Sequence, residues 1–327
     1  MLKYTAKRIL HLIPVLLVIS MVLFGILKAM PGDPVLAMMP QNPSAYKSPQ
    51  AKQKIYNEIK RRMGYDKSIP EQYIRWLGRV LKGELGESNT QYKPVQQVIA
   101  QPLKNTFILN VGSTIIAFIL SVIIGIKSAV RRGGVYDKFW QVFSLVGISL
   151  PTFFTGLILI FFLAFKLGWF PAGMMPITVG LTKGEIFLSW IKHLILPTIT
   201  LTIGSLASTS RYVRNSMIDA LSQDYIRTAK SKGLSDKVVI YSHAFRNAMI
   251  PVVTVVAWAI VGMFSGAAIT ETIFAYNGIG KIFIDSVMQQ DYNVVMALNM
   301  MYALLNVFGN LLADLGYALV DPRIRLE

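Results

Sequence analysis

The sequence predicts an all-α integral membrane protein with six transmembrane helices and a small helical extracytoplasmic segment between the first two. Three observations carry that prediction. The 327-residue chain combines a mean hydropathy of +0.48 with only 15% charged residues, unlike a soluble globular domain. Five apolar runs supply the roughly 20 residues that a helix needs to cross ~30 Å of hydrocarbon. Basic residues alternate along the chain between loops that hold many and loops that hold few.

The first span is Ile9–Met30, with Lys28 near its outer end. A signal-peptide core is roughly 7–15 residues long and precedes a small-x-small cleavage site. This run is longer and ends in KAMPGDP, so a retained span is expected. Thr106–Ile126, Phe139–Phe165, Ala248–Thr270 and Tyr292–Ala313 contain no charged residue, and one charge at a helix centre costs about 2.5–3.5 kcal/mol. Leu194–Ser210 is shorter, about 26 Å at ~1.5 Å per residue. That span must begin near Ile186, with Lys192 and His193 reaching to the interface.

Charge sets the orientation. Lys3, Lys7 and Arg8, the loop from Lys127 to Lys138, the loop from Arg211 to Arg246, and Arg323 and Arg325 together hold 16 of the 33 basic residues. The opposite short loops hold few, so both termini are predicted to be cytoplasmic. The net charge of +16 follows from that bias and needs no nucleic-acid partner. The chain divides into 1–30 (N-terminus and span 1), 31–104 (the outer segment), 105–320 (spans 2–6, with a long basic loop at 211–247) and 321–327 (a cytoplasmic tail). The outer segment carries basic residues too, but at 74 residues it exceeds the ~60-residue length over which the charge rule operates. It reads as two helices. One lies between Pro49 near its start and Gly64 after its end; the other places Tyr73, Ile74, Leu77, Val80 and Leu81 on one face.

Within the 211–247 loop, DYIRTAKSKGLSDK interrupts two oily runs. Asp224 is placed as N-cap, Tyr225 to Lys232 as helix and Gly233 at the left-handed C′ position. A helix this short is marginal in water, and Arg227, Lys230 and Lys232 keep it out of lipid. Local physics leaves two readings: a docking element for a protein, or an amphipathic connector resting on headgroups.

The stretch DYIRTAKSKGL, followed by Pro251 entering the next span, resembles the cytoplasmic coupling loop of ABC-importer permease subunits, in the dipeptide/oligopeptide (peptide/nickel) branch. The acid of the general motif is replaced by Arg227, followed by Thr228 and Ala229, a departure that fits this branch and not the sugar or amino-acid importers. RWLGRVLKGELGES, KPVQQVIAQPLKNT, ISLPTFFTGL, ETIFAYNGIGKIFIDSVMQQDY and the terminal DPRIR resemble the same branch, in order along nearly the whole chain. The resemblance is to the first, B-type, permease subunit. It implies a type I importer permease fold, a second similar permease, two cytoplasmic ATPase subunits that hold ATP and Mg, an extracytoplasmic peptide-binding protein and peptide cargo, in a bacterial cell membrane. Asp224, Tyr225, Arg227, Thr228, Ala229, Lys230 and Gly233 would then contact the ATPases.

Span 6 carries Asn299, Asn306, Asn310 and Asp314 within ~80° of one face, and span 4 carries Thr198, Thr202, Ser205 and Thr209 in the same manner. Such stripes serve either interhelical hydrogen bonding or a wet translocation path. Pro151, in mid-run, is the candidate hinge, whereas Pro197 and Pro251 mark first turns of their spans. GIGK at 278–281 fails the phosphate-loop pattern, since Ala275 and Ile282 stand where Gly and Ser/Thr are required. With no Cys, three His and no catalytic constellation, the chain reads as non-catalytic and without cofactor or metal of its own. An ion-gradient-driven secondary carrier is the alternative; such carriers use carboxylates or His within the membrane, and spans 2 to 5 have none in their cores.

Overall fold

The computed structural model describes residues 2–29, 33–37, 39, 48–176 and 179–320. The tail 321–327, with Arg323, Arg325 and the DPRIR motif, lies outside the described residues. Among the described residues the regular elements are all helical, and an isolated antiparallel bridge joins Glu87 to Pro94. In chain order they are α1 (Leu2–Ala29), α2 (Pro34–Ala37), α3 (Pro49–Arg62), α4 (Ile69–Leu81), α5 (Val95–Val130), α6 (Val135–Ser149), α7 (Thr152–Leu159), α8 (Lys183–Leu221) and α9 (Asp224–Ser231). There follow α10 (Asp236–Val238), α11 (Phe245–Ala248), α12 (Val252–Gly262), α13 (Ala268–Ile273), α14 (Ile279–Met288) and α15 (Tyr292–Val320). Two π-helical stretches, Ile160–Lys166 and Val239–Ala244, extend α7 and join α10 to α11.

Among the described residues, four helices are long and apolar enough to cross a membrane: Leu10–Ala29 within α1, α5, α8, and Tyr292–Gly316 within α15. Two bent pairs bring the number to six if each is one span. The expected span Phe139–Phe165 runs as Val135–Ser149 and Thr152–Lys166, which meet at 104°. The cause is Pro151. It disfavours helical geometry at the residue before it, and Leu150 takes an extended ψ of 128°. The expected span Ala248–Thr270 is also broken, by a 62° bend beside Pro251 and again after Gly262. Pro251 precedes the first turn of α12 as expected. Pro197 does not mark a first turn: α8 begins fourteen residues earlier, at Lys183, with Thr182 and Glu185 forming a reciprocal capping box. At 39 residues α8 is about 58 Å long, far more than a bilayer requires.

The chain folds as two compact units. The larger comprises Met1–Arg8, Leu103–Lys281 and Leu305–Glu327. Its helices approach closely at small residues: a Cβ on Gly125 of α5 would lie 2.7 Å from Val213 of α8, and one on Gly147 of α6 would lie 2.9 Å from Ala207. In a bilayer, where lipid is as apolar as leucine, such close packing drives helix association. Arg8 and Asp314 pair at 2.8 Å.

The smaller unit comprises Ile9–Pro102 and Ile282–Leu304. Ser48 caps α3, accepting from the Ala51 amide; Pro49 stands at its start and Gly64 follows its end at φ +71°, as the sequence predicted. The inner face of α4 is rotated from the expected one. Tyr73, Trp76, Leu77 and Val80 are half-buried, but Ile74 and Leu81 are 68% and 79% exposed. Trp76 takes their place because Phe24, Tyr73 and Trp76 form an aromatic cluster with centroids 5.6–6.0 Å apart. Asp291, 1% exposed, accepts from the Ser88 hydroxyl at 2.5 Å, the Thr90 hydroxyl at 3.0 Å and the Asn89 amide at 3.2 Å. One buried carboxylate thus pins the whole 88–90 turn.

Candidate functional site

The 224–233 segment forms the predicted two-turn helix, with its start shifted by one residue. Gln223, extended at ψ 153°, occupies the N-cap, and Asp224 is the first helical residue. Asp224 remains helpful to the macrodipole but makes no cap bond; its side chain is 94% exposed and lies 3.5 Å from Arg227. The far end is as predicted. Gly233 has φ +75°, its amide donates to Lys230 at 2.9 Å, and the Leu234 amide donates to Ala229 at 3.4 Å. These two bonds close a Schellman motif.

What holds so short a helix is the chain itself. Ile226 and Ala229 are buried, 2% and 5% exposed, against Val213, Met217, Val239 and Ala244. Burying one isoleucine contributes about 1.5–3 kcal/mol toward holding the helix in place. Ala229, expected among the contact residues, therefore faces inward in this chain. Asp224, Tyr225, Arg227, Thr228 and Lys230 are exposed on the other face. The same apolar cluster includes Ile126 and Ala129 of α5 and Val252 of α12, so displacement of α9 loads three long elements at once.

A bidentate ion pair braces the root of this assembly. Arg214 of α8 donates to Asp137 through Nε at 2.5 Å and through Nη2 at 2.8 Å, and the Gly133 amide donates to the same carboxylate at 2.9 Å. The Asp137 side chain is fully buried and that of Arg214 is 15% exposed. Composition alone placed Arg214 among the loop charges and gave no hint of a partner 77 residues away.

The polar stripes diverge. Thr202 is buried and donates to the Ser113 carbonyl of α5 at 3.4 Å, so it joins two helices. Thr198 is half-buried and Ser205 exposed. Asn299 donates to Val295 in its own helix at 3.0 Å, whereas Asn306 and Asn310 are exposed. Cysteines introduced at 306 and 310 in this cysteine-free chain are expected to react with small water-soluble thiol reagents if they face a wet path. Complete protection in every transport state would place them against lipid or a neighbouring subunit.

Sequence reasoning missed a second polar centre. Glu271 is fully buried and accepts from the Thr106 hydroxyl at 2.7 Å, the Lys281 amide at 3.0 Å and the Ala267 amide at 3.2 Å. Thr106 in turn accepts from the Ile279 amide at 2.8 Å, so both side chains cap the start of α14. Asn105 donates to the Asn277 carbonyl at 2.7 Å, and Tyr276 donates to the Asn105 carbonyl at 2.8 Å. Burial, reinforced by the Glu271 charge, holds the Tyr276 hydroxyl well above its usual pKa and keeps it a donor. The available signal was a lone acid, Glu271, beginning an otherwise apolar stretch that ends in a Gly-rich turn. Among the described residues no group of three or more His, Cys, Asp or Glu could hold a metal ion.

Comparison with known proteins agrees along the whole chain. Residues 117–326 match the family described as "Binding-protein-dependent transport system inner membrane component", and residues 1–110 match its N-terminal companion. The oligopeptide transport system permease protein AppB of Bacillus subtilis is 40% identical over 322 residues, 98% of each chain. The di/tripeptide transport system permease protein DppB of Pseudomonas aeruginosa is 35% identical, over 99% of each. The glutathione transport system permease protein GsiC of Pectobacterium atrosepticum is also 35% identical, over 100% of each. With its apolar spans, its braced α8–α9 corner and these matches, the chain is a multi-pass membrane protein that belongs to the family of binding-protein-dependent transport system inner membrane components.

Proposed function

We propose that this chain is one of two similar permease subunits in a bacterial ATP-driven peptide importer, and that α9 is where the motor takes hold. Two cytoplasmic ATPase subunits would bind ATP and Mg and grip the exposed Tyr225, Arg227, Thr228 and Lys230. An extracytoplasmic binding protein would deliver peptide to the other side, with both termini of this chain in the cytoplasm. The chain itself would be non-catalytic. The carrying observation is the two-sidedness of α9: an inner face locked by Ile226 and Ala229 into the helices of the body, and an outer face left polar and exposed. Motion imposed on the outer face would pass through that cluster into α5, α8 and α12, with bending concentrated at Pro151.

Gly233→Ile tests the coupling. A Cβ there would meet nothing within 4 Å, so the substitution acts only on the left-handed backbone, at about 1–2 kcal/mol. In vesicles containing the complete complex, ATP-driven peptide uptake is expected to fall about tenfold while ATP hydrolysis persists. Unchanged uptake would remove α9 from the mechanism. Copurification of a tagged chain from its native membrane is expected to bring down ATPase subunits and a second permease. Concentration of peptide by this chain alone under an ion gradient, without nucleotide, would overturn the reading in favour of a secondary carrier.

A further inference from the structure

The helix α4, in the segment between the first two spans, has an apolar flank that the fold leaves uncovered. Its neighbour α3 exposes no large apolar side chain, whereas α4 leaves Ile74 and Leu81 in the open. At ~100° per residue the side chains of α4 fall into three sectors. Tyr73, Trp76, Leu77 and Val80 form the half-buried one, and Glu71, Arg75, Arg79 and Lys82 form a charged one on roughly the opposite side. Between them, within about 40° of one another, stand Pro70, Ile74 and Leu81. A helix that shares itself between a protein body and water needs only two sectors. The third, apolar and exposed, is what an interfacial helix presents to a membrane.

Depth decides what that flank meets. Leu10–Ala29 is 20 residues long, about 30 Å, which is one hydrocarbon thickness, so Ala29 marks an edge of the bilayer. Phe24 lies about 7 Å below that edge along the span, and Ser20 about 13 Å below it. The helix α4 rests against both. Its Tyr73 and Trp76 rings pack on Phe24 with centroids 5.6 and 5.7 Å away, and the Tyr73 and Ser20 hydroxyl oxygens are 2.8 Å apart. Ser20 itself donates to the Leu17 carbonyl at 2.8 Å, so Tyr73 is the donor in that pair. A tyrosine standing in water would donate to water. This one finds its acceptor within a membrane span, on a buried serine. At the same level Met21, Val22 and Ile26 of the span are exposed as well. What surrounds α4 there is hydrocarbon, and a soluble partner reaches that level only by displacing lipid.

We propose that α4 lies in the membrane surface, its Pro70–Ile74–Leu81 flank inserted among the acyl chains of the leaflet on that side and its charged sector turned to headgroups and water. The 31–104 segment is then not a cap standing clear of the membrane but one moored in its surface. Tyr73 and Trp76 supply the aromatic rings that collect at such interfaces. The proposal requires only that α1 spans the bilayer, and it holds whatever the cargo.

The test places p-benzoylphenylalanine at position 74, 81 or 82 of the tagged full chain. Native membranes are photolysed and the purified chain is weighed by mass spectrometry. Phospholipid adducts are expected at 74 and 81, with little or none at 82. Protein adducts at 74 and 81 would assign the flank to a neighbouring subunit, and absence of any adduct there would place it in water; either overturns the proposal. Lipid adducts in equal yield at all three positions overturn it too, because the charged sector would then be immersed. Single cysteines perturb the fold less and read the same geometry. In opened membranes, Ile74→Cys and Leu81→Cys are expected to react with a charged maleimide at least about tenfold more slowly than Lys82→Cys, since an apolar setting suppresses the thiolate. Equal rates at the three positions would show α4 standing in water.

Discussion

Arg214→Ala is expected to lower the stability of the folded chain by about 3–5 kcal/mol, and Asp137→Ala by distinctly less. The asymmetry follows from where each group sits. Removing Arg214 leaves a carboxylate with a fully buried side chain, held only by uncharged donors such as the Gly133 amide, and no countercharge. Removing Asp137 leaves a guanidinium that is already 15% exposed and has a long stem with which to reach water. Thermal unfolding in detergent, compared for the two variants, checks the order. Lysine at 214 keeps the charge but cannot reproduce the two parallel bonds, so Arg214→Lys should fall between them. Equal destabilisation by Arg214→Ala and Asp137→Ala would mean that the pair contributes packing and not electrostatics. Because Arg214 belongs to the same helix as Val213 and Met217, which hold α9, the variants should also loosen α9. Faster proteolysis between Ser222 and Lys237 in the folded fraction is the expected sign.

Glu271→Ala is expected to cost at least about 3 kcal/mol, because three donors lose their acceptor at once and each buried unsatisfied donor costs about 1–3 kcal/mol. Glu271→Gln separates charge from geometry. Its oxygen can keep the Thr106 hydroxyl and the Ala267 amide, but its NH2 then confronts the Lys281 amide, so an intermediate loss is expected. Gly278→Ala attacks the same centre by volume: a Cβ there would come within 2.5 Å of both Glu271 Oε2 and Thr106 Oγ1. Neither oxygen can retreat without breaking its own hydrogen bonds, so the cost of overpacking, about 1–3 kcal/mol, adds to theirs. Yield of folded protein and its melting temperature measure all three. A Gly278→Ala chain as stable as the parent would show that the 271–281 turn yields more readily than its bonding suggests.

Both centres bear on transport through positioning. The Asp137–Arg214 pair fixes the loop between α5 and α6 to the end of α8, next to α9. The Glu271 centre fixes the start of α14 to α5 by way of Thr106. Between them, α5 is held near each of its ends by a buried polar clamp, in a protein whose helices otherwise expose apolar surface suited to lipid. Polar bonds are directional and apolar contacts are not, so these clamps set register where hydrophobic packing alone would let helices slide.

Legibility differed by element. The outer helix α3 was readable to its ends, because Pro49 and Gly64 act on backbone within one turn of themselves. Gly233 was readable for the same reason. The face of α4 was not, since Trp76 is drawn in by Phe24, an aromatic ring of the first span that no local pattern announces. The spans at 139–165 and 248–270 were legible as apolar runs but not in their course, because apolar length reports solvent preference and is silent about direction. Pro151 marked the position of the larger break but not its 104° angle.

By itself the sequence determined that the chain lives in a membrane, how many apolar passages it offers, where short helices start and stop, and to which transporter family it is kin. Those properties are additive along the chain or decided within a few residues, so composition and periodicity carry them. Only the tertiary structure decided that Ala229 turns inward while its neighbours turn out, that Arg214 answers Asp137, and that Glu271 answers a threonine 165 residues away. A buried charge must find a partner, but the rule does not name the partner. The packing of helices distant in sequence supplies the name.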